Sequence, residues 1–298
     1  MKRFLLIQIA VLFFTATLLP AQQPASGNKA SSTQPAGKRL PQAKTQAEFA
    51  DYNTAYAMKG GAAMEKAADD FAAKYPNSEL KPYLYAKAMH EYQVENDSPK
   101  MLAMGEKVLT LDPDNTVALV ITATVLSDGL ADTNPDQQKV ALVRQRASHA
   151  LETVDTALAT TSGIPQDQVT SYKNTLRAMA HSALAITSLK LGDNADAEKE
   201  FKIAAELGKA QPDPFVWYHL ALAQDREGTA AVNTDEQQKK YSEALVSVRE
   251  ALRYTASNPD LGKLAEGELK RLEQLTGQQQ SGTAPQAQPQ PSPSQQQK

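Results

Sequence analysis

Residues 178–211 read AMAHSALAITSLKLGDNADAEKEFKIAAELGKAQ, and their spacing decides the fold. The first half places His181, Leu184, Ala185 and Ser188 on one side of a helix, at intervals of three and four residues. Gly192 ends it, and a second helix presents Ala197, Phe201 and Ala204. Alanine lets two helix backbones approach, and phenylalanine one turn on fills the space beside the contact. The order returns downstream as Trp217, Leu220, Ala221 and Gly228. An insertion, Thr229 to Gln238, follows, and then Ala244, Val248 and Ala251 of a second helix. Upstream, Pro82 to Asn115 carries Tyr85, Ala88, Tyr92, Val108 and a closing Pro113, and another first helix begins at Thr116.

Helix boundaries are spelled out along the chain. Ser98-Pro99, Asn134-Pro135, Asp213-Pro214 and Asn258-Pro259 each put a capping side chain before a proline at the first helical position. Asn134 with Gln137 and Thr234 with Gln237 have the spacing of a capping box. Stops are expected at Gly60-Gly61, Gly192, Gly208 and Gly228. Strand signals are nearly absent, and aromatics are only 6% of the chain, so the body reads as all-α.

The units resemble the tetratricopeptide repeat, whose pattern is W-x₂-L-G-x₂-Y, A-x₃-F and P over 34 residues. Trp217-Tyr218-His219-Leu220-Ala221 fits W-x₂-L-A, and Ala197-x₃-Phe201-x₂-Ala204 fits the second helix. Pro82–Asn115 fits less closely, with Met101 and Gly105 in place of Ala and Phe. Tyr52, Ala55, Tyr56, Ala67, Phe71 and Tyr75-Pro76-Asn77-Ser78 look like the repeats of bacterial periplasmic assembly proteins. The resemblance implies an α-solenoid of about five stacked helix pairs, at 48–80, 82–115, 116–160, 166–211 and 214–257, with a capping helix over 259–276. The third pair is irregular: its second helix is expected from Pro135 to about Ala159, followed by a loop at Ser162-Gly163-Ile164-Pro165.

Around this body, 46–276, the composition changes. Lys2 and Arg3 precede an uncharged run from Phe4 to Leu19, then Pro20 and Ala21, which describes a secretory signal peptide over 1–21. The alternative is a retained anchor, but such a run spans only about 24 Å, short of a ~30 Å hydrocarbon core. Removal of 1–21 takes Lys2 and Arg3 from 31 basic residues, leaving 29 against 34 acidic and a charge of −5. Residues 22–45 hold Leu40 as their only large apolar side chain, and 277–298 hold nine Gln and four Pro. Both are expected to be disordered linkers. A spacer, a segment threading the cell wall and a proline-rich ligand are the other readings. The chain is therefore expected in the periplasm or secreted, with no stable membrane anchor after cleavage.

The chain has no cysteine, which excludes disulfides, thiolate metal sites and a lipid anchor on cysteine. Near-balanced charge gives no basic stripe, so nucleic acid is not an expected partner. His90, His149, His181 and His219 have no metal-ligand spacing, and no nucleotide or nucleophile motif occurs. Asp112, Asp114 and Asn115 resemble a calcium loop only superficially, since Pro113 interrupts them. No catalytic, cofactor or metal residue is assigned, and no cofactor is expected.

Function is instead expected on the concave face of the superhelix, lined by first helices. Phe215, Tyr218, Leu222 and Asp225, with Arg226 beside them, form the expected stripe of the fifth repeat. Met179, Ser182, Ile186 and Lys190 line the fourth, Val117, Val120 and Thr124 the third, and Tyr83, Ala86 and His90 the second. The alternative is that these residues pack between repeats. The family's subset that clamps a terminal carboxylate uses Lys and Asn on this stripe, and they are missing here. The expected function is a non-enzymatic adaptor for a protein or peptide. An assembly factor or holding chaperone, and more remotely a periplasmic enzyme or small-molecule receptor, are the alternatives.

Overall fold

The computed structural model describes residues 41–157 and 164–277. The expected signal peptide, most of the first linker, Ala159, Ser162, Gly163 and the tail from 278 lie outside the described residues. Eleven α-helices follow one another, and no strand occurs among the described residues. They are α1 (Gln46–Tyr56), α2 (Gly61–Lys74), α3 (Lys81–Val94), α4 (Ser98–Leu111), α5 (Thr116–Asp128) and α6 (Gln137–Thr153). Then come α7 (Gln166–Leu191), α8 (Asn194–Leu207), α9 (Pro214–Ala230), α10 (Thr234–Leu252) and α11 (Pro259–Leu275). Each helix packs against the next, the arrangement of an α-solenoid.

The second helices bury what their spacing dictates. Ala197 and Phe201 of α8 are fully enclosed, with Ala204 at 1% exposure. Ala244, Val248 and Ala251 of α10 are likewise at 0%. On the first helix of the deciding stretch, Ala185 and Ser188 are buried, whereas His181 and Leu184 are half-buried. His181 Nδ1 meets Glu200 Oε2 of α8 at 2.6 Å, so a polar link joins this pair. The core runs as three successive clusters, and α7 belongs to two of them. Its Leu176, Met179, Ala180 and Ala183 pack with the N-terminal helices, and its Ala185, Ile186 and Leu189 pack with α8 and α9.

Several boundaries differ from the sequence expectation. Asp213 and Asn258 cap α9 and α11, accepting from Phe215 N at 2.9 Å and Leu261 N at 3.2 Å. For α4, however, Asp97 is the cap and Ser98 already belongs to the helix. The cap of α6 is Asp136, not Asn134, because Asn134 takes a left-handed backbone with φ of 50° and cannot lead into a helix. The helix therefore begins at Gln137 and ends at Thr153. Asn233, not Thr234, caps α10, and its Oδ1 accepts from Glu236 N at 2.7 Å. The expected insertion at 229–238 is mostly helix, absorbed by a longer α9 and α10.

The glycines divide by role. Gly192 ends α7 at φ 81°, as expected of a helix stop. Gly228 does not stop α9. It lies within the helix, where a Cβ would come 2.8 Å from the Tyr241 ring of α10. Gly61 starts α2 rather than ending α1, and a Cβ there would sit 2.2 Å from Tyr92. Its N–H donates to Glu95 Oε1 at 2.7 Å and that of Gly60 to Glu91 Oε2 at 2.8 Å. Two carboxylates, Glu91 in the last turn of α3 and Glu95 just beyond it, thus cap a helix that has no capping side chain of its own.

Candidate functional site

A helix turns about 100° per residue, so a step of four advances about 40° while a step of three falls about 60° short of a turn. This decides which first-helix residues reach the surface. In α9, Phe215, His219 and Leu222 are half-buried and Arg226 is exposed. In α3 the outward residues are Tyr83, Lys87, His90 and Val94, with Tyr83 39% and Val94 67% exposed. Both stripes follow i, i+4, i+7, i+11. Residues at i+3 lie on the flank: Ala86 is half-buried and Tyr218 is only 6% exposed.

Tyr218 is therefore a correction to the expected site. It belongs to the core formed by Ala221, Tyr241, Leu261 and Ala265 of α9, α10 and α11. Burial first, then Glu268, raises its hydroxyl pKa, with Arg226 opposing. His219 takes its place at the surface. The His219 ring stacks on Phe215 at 3.8 Å between centroids, and its Nδ1 meets the Phe215 carbonyl at 2.9 Å. Asp225 is engaged too, in an ion pair with Arg271 of α11, while Arg226 Nη1 donates to Leu189 O of α7 at 3.3 Å. Leu222 packs partly against the α10–α11 core. These residues knit repeats together as well as lining a face.

The middle of the expected groove is closed. α5 packs directly against α7, an approach that Ala123, Ala180 and Ala183 permit, each fully buried. Val120, Thr124, Met179, Ser182 and Ile186 are all buried, so the expected stripes of the third and fourth repeats face packing. Val117 is half-buried, and Lys190 pairs with Asp132 of the α5–α6 connection. Accessible first-helix surface among the described residues includes one stretch on α1 and α3 and one on α9.

The N-terminal stretch is aromatic. Tyr52 and Tyr56 stand 5.6 Å apart between ring centroids, and Tyr52 meets Phe71 edge-on at 6.2 Å. Burial, with Tyr56 and Tyr83 nearby, pushes the Tyr52 hydroxyl pKa up, and burial takes Tyr56 to about 12. Tyr83 is raised by burial and by Asp112 and Glu79. All three stay neutral hydroxyls, able to donate or accept at the edge of an apolar surface. Lys87 is paired with Glu91 along α3. Tyr52 and Tyr56 lay in the first repeat's pattern as packing residues. Reading the stripe at i+4 rather than i+3 would have found Lys87 and His219.

Among the described residues, no cluster of three His, Asp or Glu is placed to hold a metal ion, and no helix is long and apolar enough to cross a membrane. Compared with known proteins, the chain matches no family model and no curated protein.

Proposed function

We propose that this chain is an exported, non-enzymatic adaptor of the tetratricopeptide-repeat type that holds a protein or peptide partner on its first-helix faces. The observation that carries the reading is two accessible aromatic stretches on a helical-pair scaffold. One holds Tyr83 and His90 of α3 and Tyr52 and Tyr56 of α1; the other holds Phe215, His219 and Leu222. Aromatic side chains half-exposed on rigid helices supply large contact areas at low ordering cost, the chemistry of a protein-binding anchor. The basic n-region and apolar run at the N-terminus support a periplasmic or secreted location.

Crosslinking in the native cell identifies the partner, and purified protein then tests the faces. Tyr83→Ala and Leu222→Ala are expected to weaken capture of that partner, by about thirtyfold where the anchor contributes ~2 kcal/mol. Binding unchanged in both variants rejects the first-helix faces as the site. A holding chaperone is the second reading, favoured by the aromatic N-terminal stretch. It predicts suppression of aggregation for unrelated unfolded clients instead of capture of one partner.

A further inference from the structure

The chain enters α1 past the start of α3. Gln42 N donates to Glu79 Oε2 at 3.2 Å, Lys44 N donates to Glu48 Oε2 at 2.7 Å, and Ala43 packs against the N-terminal core. The backbone is thereby held beside Glu79 two residues after Leu40. Tyr83, in the first turn of α3, is 39% exposed, and burial, then Asp112 and Glu79, raise its hydroxyl pKa. A half-exposed aromatic ring with two carboxylates near it thus stands where the chain arrives. Lys81, the basic residue of the same turn, donates to Pro76 O.

What precedes Pro41 matches that surface in charge and polarity. Residues 22–45 carry Lys29, Lys38, Arg39 and Lys44 and no acidic residue. Their only adjacent basic pair, Lys38-Arg39, is followed directly by their only large apolar residue, Leu40. Four residues back from Gln42 span at most about 14 Å, so this triplet stays within range of Glu79 and Tyr83. A tether this short holds it there at an effective concentration on the order of millimolar, enough for contacts too weak to join separate molecules. Opposite charges within a Debye length attract, and an apolar side chain gains by leaving water for an exposed ring face.

We propose that Lys38, Arg39 and Leu40 form an intramolecular strap over the first turn of α3, with Leu40 on the Tyr83 ring and the basic pair on Glu79 and Asp112. The strap covers one end of the α1–α3 face, and a ligand of that face has to displace it. It forms in the isolated chain whether or not a partner binds, so its failure leaves the adaptor reading untouched.

Trypsin digestion of the full mature chain, read by mass spectrometry, compares the bonds after Lys29, Lys38 and Arg39. Those after Lys38 and Arg39 are expected to be cut at least tenfold more slowly than that after Lys29. In the double variant Glu79→Gln/Asp112→Asn the difference is expected to fall below threefold. Each substitution keeps a carbonyl oxygen, so Gln42 N and Asn115 Nδ2 retain their acceptors and the melting temperature is expected to hold. Leu40→Ser is expected to shift the Tyr83 ring signals in NMR spectra and to leave those of Phe215 in place. Equal cutting after all three residues overturns the strap. Protection that survives in the double variant comes from nearness to the folded body alone and overturns it as well. An unmoved Tyr83 ring overturns the seat of Leu40. Protection that disappears on dilution assigns the segment to a second copy of the chain and overturns the intramolecular contact.

Discussion

A β-carbon on Gly105 would stand 2.2 Å from Thr122 Cγ2, because α4 meets α5 at this point with no side chain between them. Thr122 cannot easily yield: it is fully buried, and its Oγ1 donates to Ala118 O at 2.7 Å. This contact explains why glycine occupies a position where the repeat pattern has phenylalanine. The filling role passes to Met104, fully buried one residue earlier.

Gly105→Ala is therefore expected to destabilise by about 1–3 kcal/mol through overpacking, although alanine is the better helix former by ~1 kcal/mol. Thr122→Ala in the same chain is expected to recover part of that loss. Urea unfolding of the four-member cycle measures the coupling. Strictly additive costs would mean that the close approach is not the cause.

Tyr218 and Phe201 are expected to behave alike. Phe201 is fully enclosed and Tyr218 is 6% exposed, so truncation of either to alanine leaves a cavity costing about 3–5 kcal/mol. Tyr218→Phe keeps the volume and is expected to melt near the wild type. A Tyr218→Ala protein of unchanged stability but lost partner binding would return Tyr218 to the binding face.

The start of α6 offers a paired test of capping. Asp136 accepts from Gln138 N at 2.9 Å and Lys139 N at 3.3 Å. Asp136→Ala is expected to cost about 0.5–2 kcal/mol, the usual range for a lost N-cap. Asn134, with φ of 50°, sits in the region where glycine is at ease, so Asn134→Gly is expected to be tolerated within a few tenths of a kcal/mol. Thermal melts that reverse this order would identify Asn134 as the cap after all.

Helix identity was legible because each pair repeats the same local signals, and Ala197, Phe201 and Ala204 are buried as their spacing requires. Caps were less legible wherever two eligible side chains stand close together. Asp97 and Ser98, or Asn233 and Thr234, differ in backbone conformation, which composition does not encode. The candidate site was half legible. Tyr83, His90, Phe215 and Leu222 are on the outward stripes, but Tyr218 is one step of three rather than four away and turns into the core. The closure of the middle repeats was not legible, because it arises from α5 meeting α7 across a long sequence gap.

Acid should expose the contribution of Glu198. This carboxylate of α8 is 5% exposed and lies between Lys202 at 2.7 Å and Lys240 at 2.5 Å, with Gln224 Nε2 donating at 3.3 Å. Burial pushes its pKa up, but the two lysines and Gln224 outweigh burial and hold it at about 2, against an ordinary 4.5. The folded value is depressed, so the stabilisation is fully present above about pH 4.5 and is lost as pH falls towards 2. Its size at neutral pH is on the order of 3 kcal/mol relative to the protonated state. Glu198→Gln is expected to lose stability at pH 7 and to be less pH-dependent than the wild type between these limits. Lys240→Met removes one of the two cationic partners and is expected to move the acid transition to higher pH. Urea unfolding at half-unit pH steps reads both effects, and parallel pH profiles for wild type and Glu198→Gln would show that this buried charge does not link α8 to α10.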